Sequence, residues 1–368
     1  MAVHLARLLN GAGVQVILAD TFVSPISSKS RHCHKYLKLP SPRFEREACR
    51  DALLSAIRRE GVEAIVPTCE EVFHLALIRQ DLPIPVIAPS AEMLGIVHNK
   101  HSFITYARQL GLTVPNTRLL CAQEDVVQVG AQSRQLVLKP VWSRFANEVL
   151  IRPTAKDLRA VVPTPQDPWV AQDYVAGTEL SVYAVAKQGR LVALSAYTSL
   201  YRAGKGAGVC FEPVAEPRVR DWVETFVNAS TWDGQVSFDM ILTPEDEVMP
   251  LECNPRATSG VHFFQDAQAF SRAFWGEGEV WPDIEGILGS RLAMGVYGLP
   301  QAIKAGRLGR FFRTLAATTD ILDWPDDPEP RRAQIATLMT ILRLAMRQRI
   351  SPQQAATYDI EWNGPDQP

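Results

Sequence analysis

The segment VSFDMILTPEDEVMPLECN (236–254) constrains the fold of this chain more than any other stretch. Two alternating apolar runs flank a polar, proline-containing turn, the pattern of a β-hairpin with one face in a core. In the first run Val236, Phe238, Met240 and Leu242 share a face, and Asp239 lies on the other. In the second run Met249, Leu251 and Cys253 share a face opposite Glu252 and Asn254. A two-residue turn at Glu245-Asp246 would set Asp239 directly across from Glu252. Carboxylates so placed repel each other, and a proton or a cation offsets the repulsion. Oxygen donors from two carboxylates and an amide suit a hard cation such as Mg²⁺, with Mn²⁺ as an alternative. The competing explanation is the solvated outer face of an edge hairpin. Arg256, two residues past Asn254, favours the cation site, because a guanidinium there suits a phosphoryl group.

The 368 residues suffice for two or three domains. A net charge of −2 gives no overall basic field for nucleic acid or an anionic membrane. The six cysteines are scattered without a CxxC pair, which suits reduced thiols and a cytoplasmic location. His32-Cys33-His34 has no second cluster at ligand spacing, so zinc is not expected there. No apolar run reaches the roughly 18 residues of a membrane span, and no secretory leader pattern is visible.

The chain opens with a helical pattern, AVHLARLLNGAG, followed by the apolar strand VQVILAD (14–20). Helix 46–61, strand AIVPT (64–68), helix EEVFHLALIRQ and strand PVIAP (85–89) continue the alternation. That order predicts an α/β, Rossmann-like parallel sheet over residues 1–92. Such a sheet usually begins with a strand before its first helix. Either the chain extends upstream of Met1 or the sheet lacks a central strand. A helix at 99–117 stops near Gly111, and QLVLKPV (135–141) is a strand. Residues 169–197 alternate as antiparallel strands around a Gln188-Gly189 turn. The small-residue loop YRAGKGAGV (201–209) and a helix lead to the hairpin, and the chain beyond about residue 274 is mostly helical.

The spacing D-x12-E-x-N-P-R resembles the metal-binding hairpin of the ATP-grasp superfamily. Other stretches match that family in order. Lys100, in an Asn-Lys pair before a helix, looks like the first nucleotide lysine, and Lys139 in LVLKP looks like the second. AQDYVAGTE is similar to the adenine hinge. The resemblance implies that Gln172, Asp173 and Val175 line the base and that Glu179 takes the ribose hydroxyls. It makes Arg202 and Lys205, in the mobile-loop position, candidates for the γ-phosphate, beside Arg256. It also implies ATP and Mg²⁺ as cofactors and Asp239, Glu252 and Asn254 as the metal ligands. One departure stands out: WSRFANEV (142–149) has no glycine where many members carry a Gly-rich phosphate loop, so Ser143, Arg144 and Asn147 would cover the phosphates with side chains.

The resemblance divides the chain into a pre-ATP-grasp domain (1–92), a small subdomain (93–168), a large α+β subdomain with the metal hairpin (169–273) and a helical extension (274–368). The implied activity is an ATP-dependent carboxylate–amine (or thiol) ligase acting on small molecules through an acyl phosphate, with a homodimer as the family assembly. A bicarbonate-using carboxylase or carbamoyl phosphate-forming enzyme is the first alternative, and a non-catalytic nucleotide-binding module is the second. Thr68-Cys69-Glu70-Glu71 ends a parallel strand and fits either a ligand-binding edge or a capping box. His262 fits either an acceptor-substrate contact or a structural role. Cys253 points to the core, and helix 333–349 is expected to pack or dimerise rather than to lie on a membrane surface.

Overall fold

A computed structural model describes residues 1–142, 148–204 and 206–364. The N-terminal part contains helices Ala2–Gly11 and Arg46–Glu60, the latter ended by Gly61 in the left-handed conformation. Its sheet is smaller than the sequence pattern predicts. Strands β1 (Ile17–Asp20) and β2 (Lys35–Lys38) pair in parallel, and segments 64–68 and 85–89 meet only at the parallel bridge Ile65–Val86. β2, with lysines at both ends, carries no apolar run and was not expected from sequence. It pairs through its backbone, a contact that side-chain patterning does not record.

The next layer is a four-stranded antiparallel sheet of β3 (Thr117–Leu120), β4 (Leu136–Pro140), β5 (Leu150–Ile151) and β6 (Trp169–Asp173). Its order is β3-β6-β4-β5. β6 therefore lies inside this sheet, although its sequence runs on into the strands of the next one. The switch occurs at Tyr174–Gly177. A Cβ on Gly177 would stand 2.2 Å from the Leu242 carbonyl oxygen, so only glycine lets the two backbones approach there.

The largest sheet is built from β7 (Thr178–Lys187), β8 (Arg190–Arg202), β9 (Gly208–Val214), β10 (Gly234–Leu242), β11 (Val248–Asn254), β12 (Leu288–Gly289) and β13 (Thr319–Asp320). Its order is β11-β10-β7-β8-β9-β12-β13. Gln188 and Gly189, both at positive φ, form the two-residue turn expected between β7 and β8. Helix Pro217–Ala229 covers one face with Trp222, Val223 and Phe226 packed on Phe238, Val236 and Phe103. Helices Ala2–Gly11 and Ala267–Phe274 cover the other face through Leu8, Phe270 and Phe274.

The hairpin β10–β11 differs from expectation in two places that cancel. Its loop has three residues, Pro244-Glu245-Asp246, with Asp246 at φ +69 and Thr243 paired to Glu247. A bulge then leaves Leu251 unmatched, because Asp239 pairs with Glu252 and Met240 with Pro250. The extra loop residue and the extra strand residue restore the Asp239–Glu252 pairing. They also exchange faces: Val248, rather than Met249 and Leu251, joins Cys253 in the core. Pro250 is tolerated because β11 is an edge strand.

In the C-terminal extension, helix Gln334–Gln348 buries only Ala345 fully, so it is not the intramolecular packing helix its apolar stripe predicted. Among the described residues no helix is long and apolar enough to cross a membrane.

Three of the buried histidines, His4, His74 and His262, are held neutral by desolvation. Burial pulls His4 down to about 3 and His74 to about 4, and holds His262 well below its ordinary value. Unfolding exposes them at an ordinary value near 6.5, where the unfolded chain takes up protons first. Stability is then full above pH 6.5 and declines as pH falls toward 4. Denaturant titration at pH 7 and pH 5 is expected to show a loss of stability at the lower pH to which His4 and His74 contribute about 2 kcal/mol each, and His74→Phe should reduce that loss by about 2 kcal/mol.

Candidate active site

Asp239 and Glu252 face each other across β10 and β11, and Asn254 and Ser181 stand beside them. Ser181 Oγ donates to Asp239 Oδ1 at 2.7 Å, and Asn254 Nδ2 approaches Asp239 Oδ2 at 3.5 Å. Burial and the charge of Glu252 push Asp239 up to about 7. Burial also acts to raise Glu252, but Lys100 and Lys139 outweigh it and hold this carboxylate below its ordinary range. Two carboxylates and an amide oxygen in a half-buried setting, one carboxylate destabilised by the other, form a donor set that a divalent cation fits. The face is only partly exposed: Asp239 is half-buried and the Glu252 side chain keeps 33% of its surface accessible, less than a freely solvated outer face would show.

The lysines converge on the same pair. Lys100 opens helix Lys100–Gln109, which Asn99 caps by accepting from the amides of His101 and Ser102. Its Nζ lies 3.6 Å from Glu252 and 3.3 Å from the Val141 carbonyl. Lys139 comes from β4 in the other sheet. Its Nζ donates to Gln172 Oε1 and to the Leu251 carbonyl, both at 3.1 Å. That carbonyl is available because the bulge removes Leu251 from the β ladder. Burial lowers the Lys139 ammonium to about 8, against the pull of Glu252. It remains mostly charged at neutral pH.

Arg256 adds a third cation. Its guanidinium donates to Asn254 Oδ1 at 3.3 Å and lies 3.9 Å from Glu70. Burial opposes its charge, but Cys69, Glu70, Asp239 and Glu252 outweigh it and raise Arg256 above its ordinary value. Glu70 belongs to the acidic loop after strand 64–68, and the roles within that loop are divided. Glu71 accepts from the amides of Thr68 and Cys69 and from Thr68 Oγ1, which is the capping interpretation. Glu70, with Cys69 beside it, faces Arg256 of the candidate site.

The hinge residues are placed less uniformly. Gln172 is buried and bridges Lys139 and Thr117, while Asp173 is exposed and accepts from Asn116. Val175 is half-buried. Glu179 lies opposite Ile241, on the face that carries Ser181 and Asp239. It pairs with Arg202 at 2.7 Å, so a nucleotide using both residues must open this exposed ion pair, an inexpensive step. Ser143, Arg144, Asn147 and Lys205 lie outside the described residues. His262 is buried against His4 with ring centroids 4.7 Å apart, which favours its structural role. Burial raises the Cys253 thiol well above its ordinary range, consistent with its core position.

Sequence reasoning missed Ser181 and the carbonyl of Leu251. Ser181 was accessible, because strand alternation from Glu179 puts it on the ligand face. The Leu251 carbonyl depends on a bulge that no residue type announces.

Comparison with known proteins agrees with this geometry. Residues 97–260 match a family model described as an ATP-grasp domain. Among solved structures, N5-carboxyaminoimidazole synthetase from Staphylococcus aureus superimposes with a TM-score of 0.61 at 11% identity, covering 77% of each chain. The biotin carboxylase domain of 2-oxoglutarate carboxylase from Hydrogenobacter thermophilus gives 0.59 at 13% identity, over 78% of this chain and 70% of that one. L-amino acid ligase from Bacillus licheniformis gives 0.57 at 16% identity, over 74% and 71%. At these identities the structures establish the fold alone. No curated protein sequence matches the chain.

Asp239→Asn and Glu252→Gln are each expected to lower ATP turnover roughly 100-fold or more, with circular dichroism unchanged. Ser181→Ala should instead raise the Mg²⁺ concentration needed for half-maximal turnover about tenfold. Full activity in either carboxylate variant would remove the metal assignment.

Proposed function

We propose that this chain, whose residues 97–260 match an ATP-grasp domain model, is a Mg²⁺–ATP-dependent ligase joining a small-molecule carboxylate to an amine. The observation that carries this reading is the convergence of Lys100, Lys139 and Arg256 on the Asp239–Glu252–Asn254 face, from three separate parts of the chain. Cations surrounding a divalent-metal donor set suit a triphosphate, and phosphoryl transfer needs positioning and charge neutralisation rather than a protein nucleophile.

In this reading Asp239, Glu252 and Asn254 hold Mg²⁺, which supplies charge neutralisation at the phosphates. Lys139 and Lys100 bind phosphate oxygens and give up their present carbonyl and carboxylate contacts to do so. Gln172, Asp173, Val175 and Glu179 bind the nucleoside, and Ser143, Arg202 and Lys205 approach the terminal phosphate. Arg256, oriented by Glu70 and Asn254, stabilises the negative charge that builds up as the substrate carboxylate attacks the γ-phosphorus. Carboxylates are poor electrophiles, and phosphorylation creates an acyl phosphate with a competent leaving group. The amine then displaces inorganic phosphate.

Bicarbonate is the alternative acid substrate to consider, since two of the structural neighbours are named as a carboxylase domain and a carboxyaminoimidazole synthetase. The test is phosphate release from ATP across a matrix of carboxylic acids, bicarbonate included, and amines. A productive pair should stimulate release and yield a coupled product by mass spectrometry. Binding of Mg²⁺–ATP with no stimulation by any pair would leave a nucleotide-binding module instead. Lys139→Met is expected to weaken ATP binding about 10- to 100-fold, measured by calorimetry.

A further inference from the structure

The C-terminal extension carries a charge distribution that the whole-chain balance conceals. Residues 286–319 and 330–358 each contain five Lys or Arg residues and no Asp or Glu, in a chain whose net charge is −2. Lys304, Arg307, Arg310 and Arg313 are exposed on and around helix Leu308–Ala317. Arg343, Arg347 and Arg349 are exposed along and after helix Gln334–Gln348. Among the described residues none of these seven has an acidic partner within 4.0 Å, whereas Arg331 and Arg332 pair with Asp323 and Glu329.

Large apolar side chains are exposed among them. Leu308 and Phe312 lie four residues apart on one helix face, with Phe312 57% exposed, while the neighbouring Phe311 turns inward against Tyr201. On the second helix, Ile335, Met339, Leu342 and Met346 form one stripe, and Ile335 and Met346 are 67% and 70% exposed. Arg343 and Arg347 each follow a stripe residue by one position, which puts them along the edge of that stripe. Val296 and Ile303 add further exposed apolar groups. Both acid-free stretches reach the same loop: Gln301 donates to the Arg202 carbonyl, and Gly204 faces Gln353.

We propose that this face of the extension docks the protein on an anionic lipid surface. Apolar stripes bordered by unpaired arginines match a bilayer interface, where aliphatic groups enter the acyl boundary and cations meet headgroup phosphates. Charge argues against a second copy of the chain, since a two-fold interface would set this cationic face against itself. Nucleic acid would leave the aliphatic stripes without partners. The exposed apolar groups of this face include no Trp or Tyr, the anchors that a protein partner favours. A lipid surface needs no shape complementarity from the separate convex helices. The attachment is peripheral, because no described helix can span a bilayer.

The full-length protein is tested by co-sedimentation with vesicles of phosphatidylcholine, with and without phosphatidylglycerol. Association is expected only when phosphatidylglycerol is present, with loss at high salt. Arg343→Glu with Arg347→Glu, and separately Met339→Ser with Met346→Ser, should each reduce the bound fraction about tenfold or more, with thermal stability and basal ATP turnover retained. These readouts need no ligase substrate, so they succeed or fail independently of the proposed reaction. The proposal is overturned by absence of association with anionic vesicles, by association unaffected by both variant pairs, or by retention by polyglutamate but not by vesicles, which would indicate an acidic protein partner. Light scattering that shows a dimer dissolved by the methionine variants would likewise overturn it, in favour of a second copy.

Discussion

Two carboxylates facing each other across a hairpin, with buried ammonium groups beside them, set the terms for the rest of this structure. Asp239 and Glu252 cannot both remain charged at low cost without cations close by. Lys100 reaches Glu252 from the start of a helix, and Lys139 reaches the same strand from a different sheet. Each is expensive to bury without the other set of charges. The helix, the small sheet and the large sheet are thus tied to a common point by electrostatics rather than by apolar contact alone.

The backbone irregularities serve this point. A three-residue loop and a one-residue bulge have opposite effects on register, and together they keep Asp239 opposite Glu252. The bulge also directs the Leu251 carbonyl at Lys139. An ideal hairpin would preserve the carboxylate pair but pair that carbonyl in the sheet. Gly177 has a related role, since it lets the connection between the two sheets pass close to the end of β10.

Much of the site was legible because its residues follow strand alternation. Asp239, Glu252, Asn254 and Glu179 lie on one face for the same reason that Phe238, Met240 and Cys253 lie on the other. The helix at 100–109 was legible from Asn99 and Gly111, and the turn at 188–189 from its glycine. The N-terminal sheet was read less well. Its parallel pairing at Lys35–Lys38 uses backbone groups that any sequence can supply, and the strands expected at 64–68 and 85–89 amount to a single bridge. The loop Thr68–Glu71 was ambiguous in sequence, because capping and ligand binding draw on the same residue types. Only its packing separates Glu71, bonded to its own backbone, from Glu70, turned toward Arg256.

The sequence by itself determined the hairpin, its polar face and the identity of the charged groups, because side-chain periodicity and residue chemistry are local properties of the chain. Tertiary structure alone decided which distant cations meet that face, which carbonyl the bulge releases, and that helix Gln334–Gln348 keeps its apolar stripe exposed. These outcomes depend on how separate elements dock and how their backbones pair, and neither quantity is carried by the pattern of any one segment.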